Sequence, residues 1–190
     1  MPDGVRETNV LGLRHLPAWL ARRLPAAAGR LMEAELTALD TGNAIRMCAG
    51  TGASLHLVEP LGFSMDHRLL RRGGLDYHEL TEVHVHADLD SAREACPGRW
   101  LALTSRGARR YDEVDYRSDD VLVFGCEASG LPDEALATFA TDERVHLPMA
   151  PGNRSLNLAN AVAVVAYEAW RHLGFEGAGG AATSIEAIAA

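Results

Sequence analysis

VLVFGCEASGLP (residues 121–132) and HLPMAPGNRSLNLANAVAVVAYEAW (residues 146–170) are the two stretches that decide the fold. In each, a short apolar strand runs into a loop of small and polar residues, and a helical pattern follows. Two such turns about one helix apart bring backbone donors and acceptors together at strand C-termini. Open α/β sheets hold their ligands there.

Outward from these stretches the same alternation continues. Residues 54–58 (SLHLV), 81–86 (TEVHVH), 100–104, 121–124 and 145–148 read as strands. Residues 43–51, 66–72, 89–95, 132–140 and 155–173 read as helices, with Gly52, Gly73, Gly74 and Gly174 as stops. Strands alternating with helices predict an α/β fold with a mostly parallel sheet flanked by helices. No internal repeat is present. Residues 1–40 read differently, because Ala, Leu and Arg dominate residues 11–39 and Pro17 and Pro25 interrupt them. They predict a helical N-terminal segment, with helices over 17–24 and 26–39. Residues 178–190, rich in Ala and Gly, predict a flexible tail.

Hydrophobic content of 47% and charged content of 23% in 190 residues fit one globular domain. No apolar run approaches the ~18 residues of a membrane span. The longest, residues 158–169, carries Asn160 and Glu168. The N-terminus lacks the continuous apolar core of a secretory signal, so a cytoplasmic location is expected. Cys48, Cys96 and Cys126 show no zinc-ligand spacing and read as free thiols of a reducing compartment. A net charge of −8 argues against non-specific nucleic-acid binding. Local basic clusters remain at Arg68, Arg71 and Arg72, and at Arg106, Arg109 and Arg110.

Several residues carry possible chemistry. Gly125 and Gly130 let backbone approach a ligand, with the Glu127 carboxylate between them, although a plain strand-to-helix turn has the same composition. Ser155 or Asn157 suits the N-cap of the closing helix. Asn153, Asn157 and Asn160 together exceed what one cap needs, and their amides can brace neighbouring loops. Arg71 and Arg72, beside Gly73 and Gly74, suit phosphate contact as well as they suit a solvated turn. His78, His84 and His86 invite a metal reading, but His84 and His86 merely share one strand face and no third ligand has a telling spacing. No metal is expected.

Four stretches bear a family likeness: TGNAIRMCAGTGASLHLVEPLGF (residues 41–63), LRRGGLDYHEL (70–80), VFGCEASGLP (123–132) and LPMAPGNRSLNLANAVAVVAYEAWR (147–171). In order and spacing they resemble the SPOUT class of S-adenosylmethionine-dependent RNA methyltransferases. Within its SpoU-like branch they are most similar to the small tRNA 2′-O-methyltransferases of wobble position 34. The resemblance implies a SPOUT domain over residues 41–177, a C-terminal deep trefoil knot, and a homodimer whose active site is completed near the subunit interface. It implies S-adenosylmethionine bound in a bent pose by Leu103, Gly125, Glu127, Leu147 and Ser155, with tRNA as partner. Arg46 and Asn157 match the family's catalytic motifs, and Arg71 and Arg72 fall where RNA contact is expected. Since guanidinium stays protonated, the role expected of Arg46 is to hold the 2′-oxygen or a phosphate and stabilise developing negative charge.

Residues 1–40 depart from that pattern. The family's first strand and its proline- and asparagine-bearing loop should precede Thr41, where residues 35–40 read ELTALD. The segment resembles a shifted reading frame or a fused helix, and the sheet is expected to lack a strand. The alternatives are therefore ribose methylation of ribosomal RNA, or a catalytically impaired relative that binds cofactor or RNA. The VEPLGF segment (residues 58–63) and the absence of an added RNA-binding domain favour tRNA, with cytidine or a modified uridine as the target.

Overall fold

The computed structural model describes residues 10–14, 30–33, 38–59, 61, 82–126, 129–153 and 155–178, those before 41 by their backbone. The elements, in chain order, are β1 (Val10–Arg14), β2 (Arg30–Glu33), α1 (Ala38–Thr51), β3 (Ser54–Val58) and β4 (Val83–His86). There follow α2 (Leu89–Ala95), β5 (Trp100–Leu103), β6 (Arg109–Arg110), β7 (Val121–Phe124), α3 (Asp133–Ala137), β8 (Arg144–His146) and α4 (Leu158–His172).

The strands form one sheet, with β4 and β3 on one side, β7, β5, β8 and β6 on the other, and β1 and β2 between. Every described pairing that does not involve β1 is parallel. The inner strands are apolar runs because both their faces are covered. All of β3 and all of β7 are buried, as the strands of a parallel sheet between helices must be. In β4, VHVH alternates and is only partly covered, which suits its place at the edge.

Most predicted elements stand within a few residues of their places. The largest departure lies before Thr41. Residues 30–33, expected in a helix over 26–39, form β2, and β1 is a second strand where none was predicted. β2 runs parallel to both β3 and β7, so the sheet does not lack a strand at that point. Both N-terminal strands converge on one slot, since Val123 is the register partner of Gly12 and of Met32, and Ser54 that of Arg14 and of Arg30. Composition missed this because backbone partners on β3 and β7, rather than local propensity, draw the segment into extended form. The expected helices over 17–24 and 66–72, Arg68, Arg71, Arg72, Glu127 and nearly all of the tail lie outside the described residues.

α1 starts five residues before the predicted 43 and buries Ala44, Ile45, Met47 and Cys48. Gly52, at φ 71°, ends it in the left-handed region. α4 buries Leu158, Val162, Val165, Ala166, Ala169 and Trp170, a stripe at helical spacing. Gly174 (φ 74°) follows it as predicted. α2 opens with a reciprocal cap: Ser91 N–H donates to Asp88 Oδ1 at 2.7 Å, and Asp88 N–H to Ser91 Oγ at 3.2 Å. That first bond holds the Asp88 carboxyl below its usual pKa.

A buried ion pair locks β5 beside β7. Asp120 is 1% exposed and accepts from Arg99 Nε at 2.8 Å, Arg99 Nη2 at 2.7 Å and the Arg117 N–H at 2.8 Å. Val121 N–H then donates to Arg99 O at 2.7 Å, which starts the β5–β7 register. The carboxylate beside it raises the Arg99 guanidinium pKa further. Removing one member of such a pair leaves the other charge uncompensated. Asp120→Ala is expected to lower stability by about 3 kcal/mol, read as a shift in urea midpoint at constant slope.

Candidate cofactor cleft at the strand ends

Because β5, β7 and β8 are parallel neighbours, their C-termini open at one edge of the sheet. The described residues that follow these ends are Thr104–Arg106, Gly125 and Cys126, Ser129–Leu131, Leu147–Asn153 and Ser155. Between these loops and the start of α4 lies a cleft of about 450 Å³. Leu103, Phe124, Leu131, Leu147 and Leu158 give it apolar walls, and Thr104, Ser105, Ser129 and Ser155 add hydroxyls. Both the size and the pattern of apolar walls with a few polar groups are those of small-molecule sites.

Two close backbone approaches shape the cleft. A Cβ on Gly125 would stand 2.0 Å from Leu131 N and 2.1 Å from Gly130 C. A Cβ on Gly107 would stand 2.4 Å from Val145 C. Neither position admits a side chain without moving backbone. Gly130, at φ 71°, closes the turn, and its N–H donates to Cys126 O at 2.8 Å. Cys126 Sγ lies 3.0 Å from Ser129 Oγ, which ties the loop together from within.

Leu103, Gly125, Leu147 and Ser155, all expected at a cofactor site, line this one cleft. Asn157 does not line it. As the N-cap of α4 its side chain accepts from Asn160 N–H at 3.3 Å, which fixes the neighbouring wall residues Leu156 and Leu158. Of the two cap candidates in the sequence, Asn157 therefore takes the role. Arg46 is exposed on α1 and outside the cleft lining.

Sequence reasoning missed Thr104, Ser105, Met149 and Leu156 as lining residues. The Gly107 that follows Thr104–Arg106 was the available signal. Arg106, one of the basic cluster with Arg109 and Arg110, sits at the cleft and pairs with Asp133 at 2.7 Å. Both partners are exposed, so the pair contributes little. Arg109 donates to Glu113 O at 2.7 Å, and Arg110 to Asp112 Oδ2 at 3.0 Å. The three arginines thus have acidic or carbonyl partners and do not form an open basic patch.

Parallel strands with helices, and a glycine-shaped cleft at the strand ends, define a protein of the α/β class. Residues 37–167 match the SpoU rRNA Methylase family, and the chain belongs to that family. Over 141 residues it is 54% identical to a tRNA (cytidine(34)-2′-O)-methyltransferase of Burkholderia ambifaria, which spans 73% of this chain and 90% of that one. A solved structure described as giving insight into 2′-OH methylation of C/U34 on tRNA superposes with a TM-score of 0.70 at 39% identity. That match covers 76% of this chain and 94% of the other. An AdoMet-bound rRNA methyltransferase from Sinorhizobium meliloti matches with a TM-score of 0.64 at 25% identity, over 74% of this chain and 54% of the other.

The cap role of Asn157 is separable from chemistry by stability. Asn157→Ala is expected to cost about 1 kcal/mol in thermal or urea unfolding, with Asn157→Ser recovering most of it.

Proposed function

We propose that this chain methylates the ribose 2′-OH of the wobble nucleotide, position 34, in tRNA, using S-adenosylmethionine. The observation that carries the reading is the convergence of three parallel strand ends on a cleft where Gly125 leaves no room for a Cβ. Relatives over nearly their whole length are named for this reaction, and an AdoMet-bound neighbour shares the fold. The cleft suits the cofactor: Leu103, Leu131, Leu147 and Leu158 can enclose an adenine, while the backbone near Gly125 and the Ser155 hydroxyl offer hydrogen bonds. Glu127, in the same loop, would add a carboxylate.

When bound, S-adenosylmethionine supplies a methyl group made electrophilic by its sulfonium. The protein's own part is alignment and charge stabilisation. Leu103, Leu131, Leu147 and Leu158 would hold the cofactor and fix its orientation toward the ribose, and such positioning lowers the barrier substantially. The 2′-OH proton leaves to water or a phosphate oxygen, since the permanently protonated Arg46 guanidinium serves as an electrostatic partner of the oxygen or its phosphate. Arg71 and Arg72 would grip the RNA backbone through bidentate phosphate contacts. Asn157 supports the catalytic loop by fixing the start of α4.

The working unit is a homodimer, with the SPOUT domain at residues 41–177, its C-terminal trefoil knot, and residues 178–190 as a tail. Val164 and Tyr167, three residues apart on α4, expose 40% and 47% of their surface on one side of the helix. A second protomer seated there covers that face and completes the site near Arg46. No described helix is long and apolar enough to cross a membrane, and the tRNA substrate points to the cytoplasm.

A second reading is a protein that binds cofactor without transferring its methyl group. It is favoured by the two N-terminal strands that converge on one slot of the sheet just before α1, the helix of Arg46. Calorimetry with S-adenosylmethionine, paired with mass spectrometry of tRNA for a 2′-O-methyl group at nucleotide 34, separates the two. Binding with transfer supports the proposal; binding without transfer to tRNA or ribosomal RNA supports the second reading. Arg46→Ala is expected to lower kcat about 10²- to 10³-fold with cofactor affinity nearly unchanged. Gly125→Ala is expected to abolish cofactor binding, measured by the same calorimetry.

A further inference from the structure

On the far side of the sheet from the cleft, β3, β4 and the end of α2 bring together side chains that the methyl-transfer reading does not use. His56 of β3 is 3% exposed, and Cys96, the C-cap of α2, is fully buried. The parallel register sets His56 opposite His84, and alternation along β4 puts His86 on the same face. His56 therefore stacks between the two rings, with centroids 4.5 Å from His84 and 5.1 Å from His86. His56 Nδ1 lies 2.9 Å from His86 Nε2 and 3.3 Å from Cys96 Sγ. The three donor atoms lie within 4.8 Å of one another.

We propose that His56, His86 and Cys96 form a binding site for a transition-metal ion of the zinc(II) type. A tetrahedral zinc ion with ordinary bond lengths sets donor separations of roughly 3.3 Å between two nitrogens and 3.6 Å between nitrogen and sulfur. The two separations, 2.9 and 3.3 Å, are short of these by a few tenths of an ångström, which small rotations of the His86 ring and the Cys96 side chain supply. One imidazole nitrogen holds either a proton or a lone pair and so cannot make full hydrogen bonds to two such neighbours at once. A cation at the centre satisfies all three donors together. Two imidazoles and one thiolate select a borderline-to-soft ion over magnesium or calcium.

The surroundings are those of a held ligand set. Ser54 Oγ lies 3.2 Å from His56 Nε2, the ring nitrogen turned away from the site, and fixes the ring as outer-shell partners of metal-bound histidines do. Cys96 is anchored through its backbone, its N–H donating to Arg93 O at 3.3 Å and its carbonyl accepting from Trp100 Nε1 at 3.0 Å. His86, on the edge strand and only partly buried, gives the ion a way in. Bound there, the ion ties β4 and α2 to the buried β3. The site departs from the expectation of no metal because the third ligand comes from packing. Residues 56, 86 and 96 have no motif spacing, and β3 and α2 lie apart in sequence.

The test uses the untagged full-length chain, stripped with chelator under reducing conditions and titrated with cobalt(II) and then zinc(II). The expected result is one equivalent of cobalt per chain, tetrahedral d–d bands, a thiolate-to-cobalt charge-transfer band, and displacement of cobalt by zinc. Cys96→Ser is expected to remove the charge-transfer band. Because Cys96 is buried, His86→Gln at a partly exposed position provides the second test, with zinc affinity reduced about tenfold or more and an unchanged circular dichroism spectrum. His84→Gln is expected to leave affinity within about twofold, since His84 contributes stacking and no donor atom. Substoichiometric cobalt, a charge-transfer band that survives Cys96→Ser, or affinity indifferent to His86→Gln would each overturn the proposal. None of these readouts depends on methyl transfer.

Discussion

The pairing of β7 with β5 is the constraint on which the rest of the structure depends. Four consecutive register partners, Trp100 with Val121 through Leu103 with Phe124, set these strands side by side and pointing the same way. The Arg99–Asp120 pair fixes where that ladder begins. Because the register is set, Leu103 and Phe124 end level with one another, and the loops that follow open into the same space. A slip of one residue would exchange the side chains of β7 between the two covered faces of the sheet. The cleft is in this sense a consequence of strand register, with glycine marking where two backbones must nearly meet.

The helices serve the sheet in different ways. α4 covers it with a continuous apolar stripe, and Asn157 at its start places Leu156 and Leu158 in the cleft wall, so one residue joins helix initiation to ligand enclosure. α1 buries Ile45 and Cys48 while Arg46 stays exposed on the same turn. Burial raises the Cys48 thiol pKa well above its ordinary value, which keeps that sulfur protonated and inert. Of the three cysteines, Cys48 is thus a packing residue, Cys126 belongs to the cleft loop, and Cys96 faces two histidines. Sequence spacing could not have separated these roles.

Much of the sheet was legible in the chain. β3 and β7 fall on the predicted residues because an apolar run bounded by polar turns has few other ways to hide two faces. α2 was equally clear, since Asp88 and Ser91 write their cap locally. The N-terminal segment was not, because its backbone partners are β3 and β7, far along the chain. β6 escaped for a similar reason: two arginines have no strand signature until β8 pairs with them.

Taken alone, the sequence determined the α/β class, the family, and the position of the glycine-bearing loops at the strand ends. Those are properties of local pattern and of motif order, and both survive without coordinates. Tertiary structure alone decided that Leu103, Gly125, Leu147 and Ser155 share one cleft while Arg46 stands outside it. It decided as well that His56, His86 and Cys96 meet. Such juxtapositions arise from strand register and from helix packing across long stretches of chain, and no short window of residues encodes them.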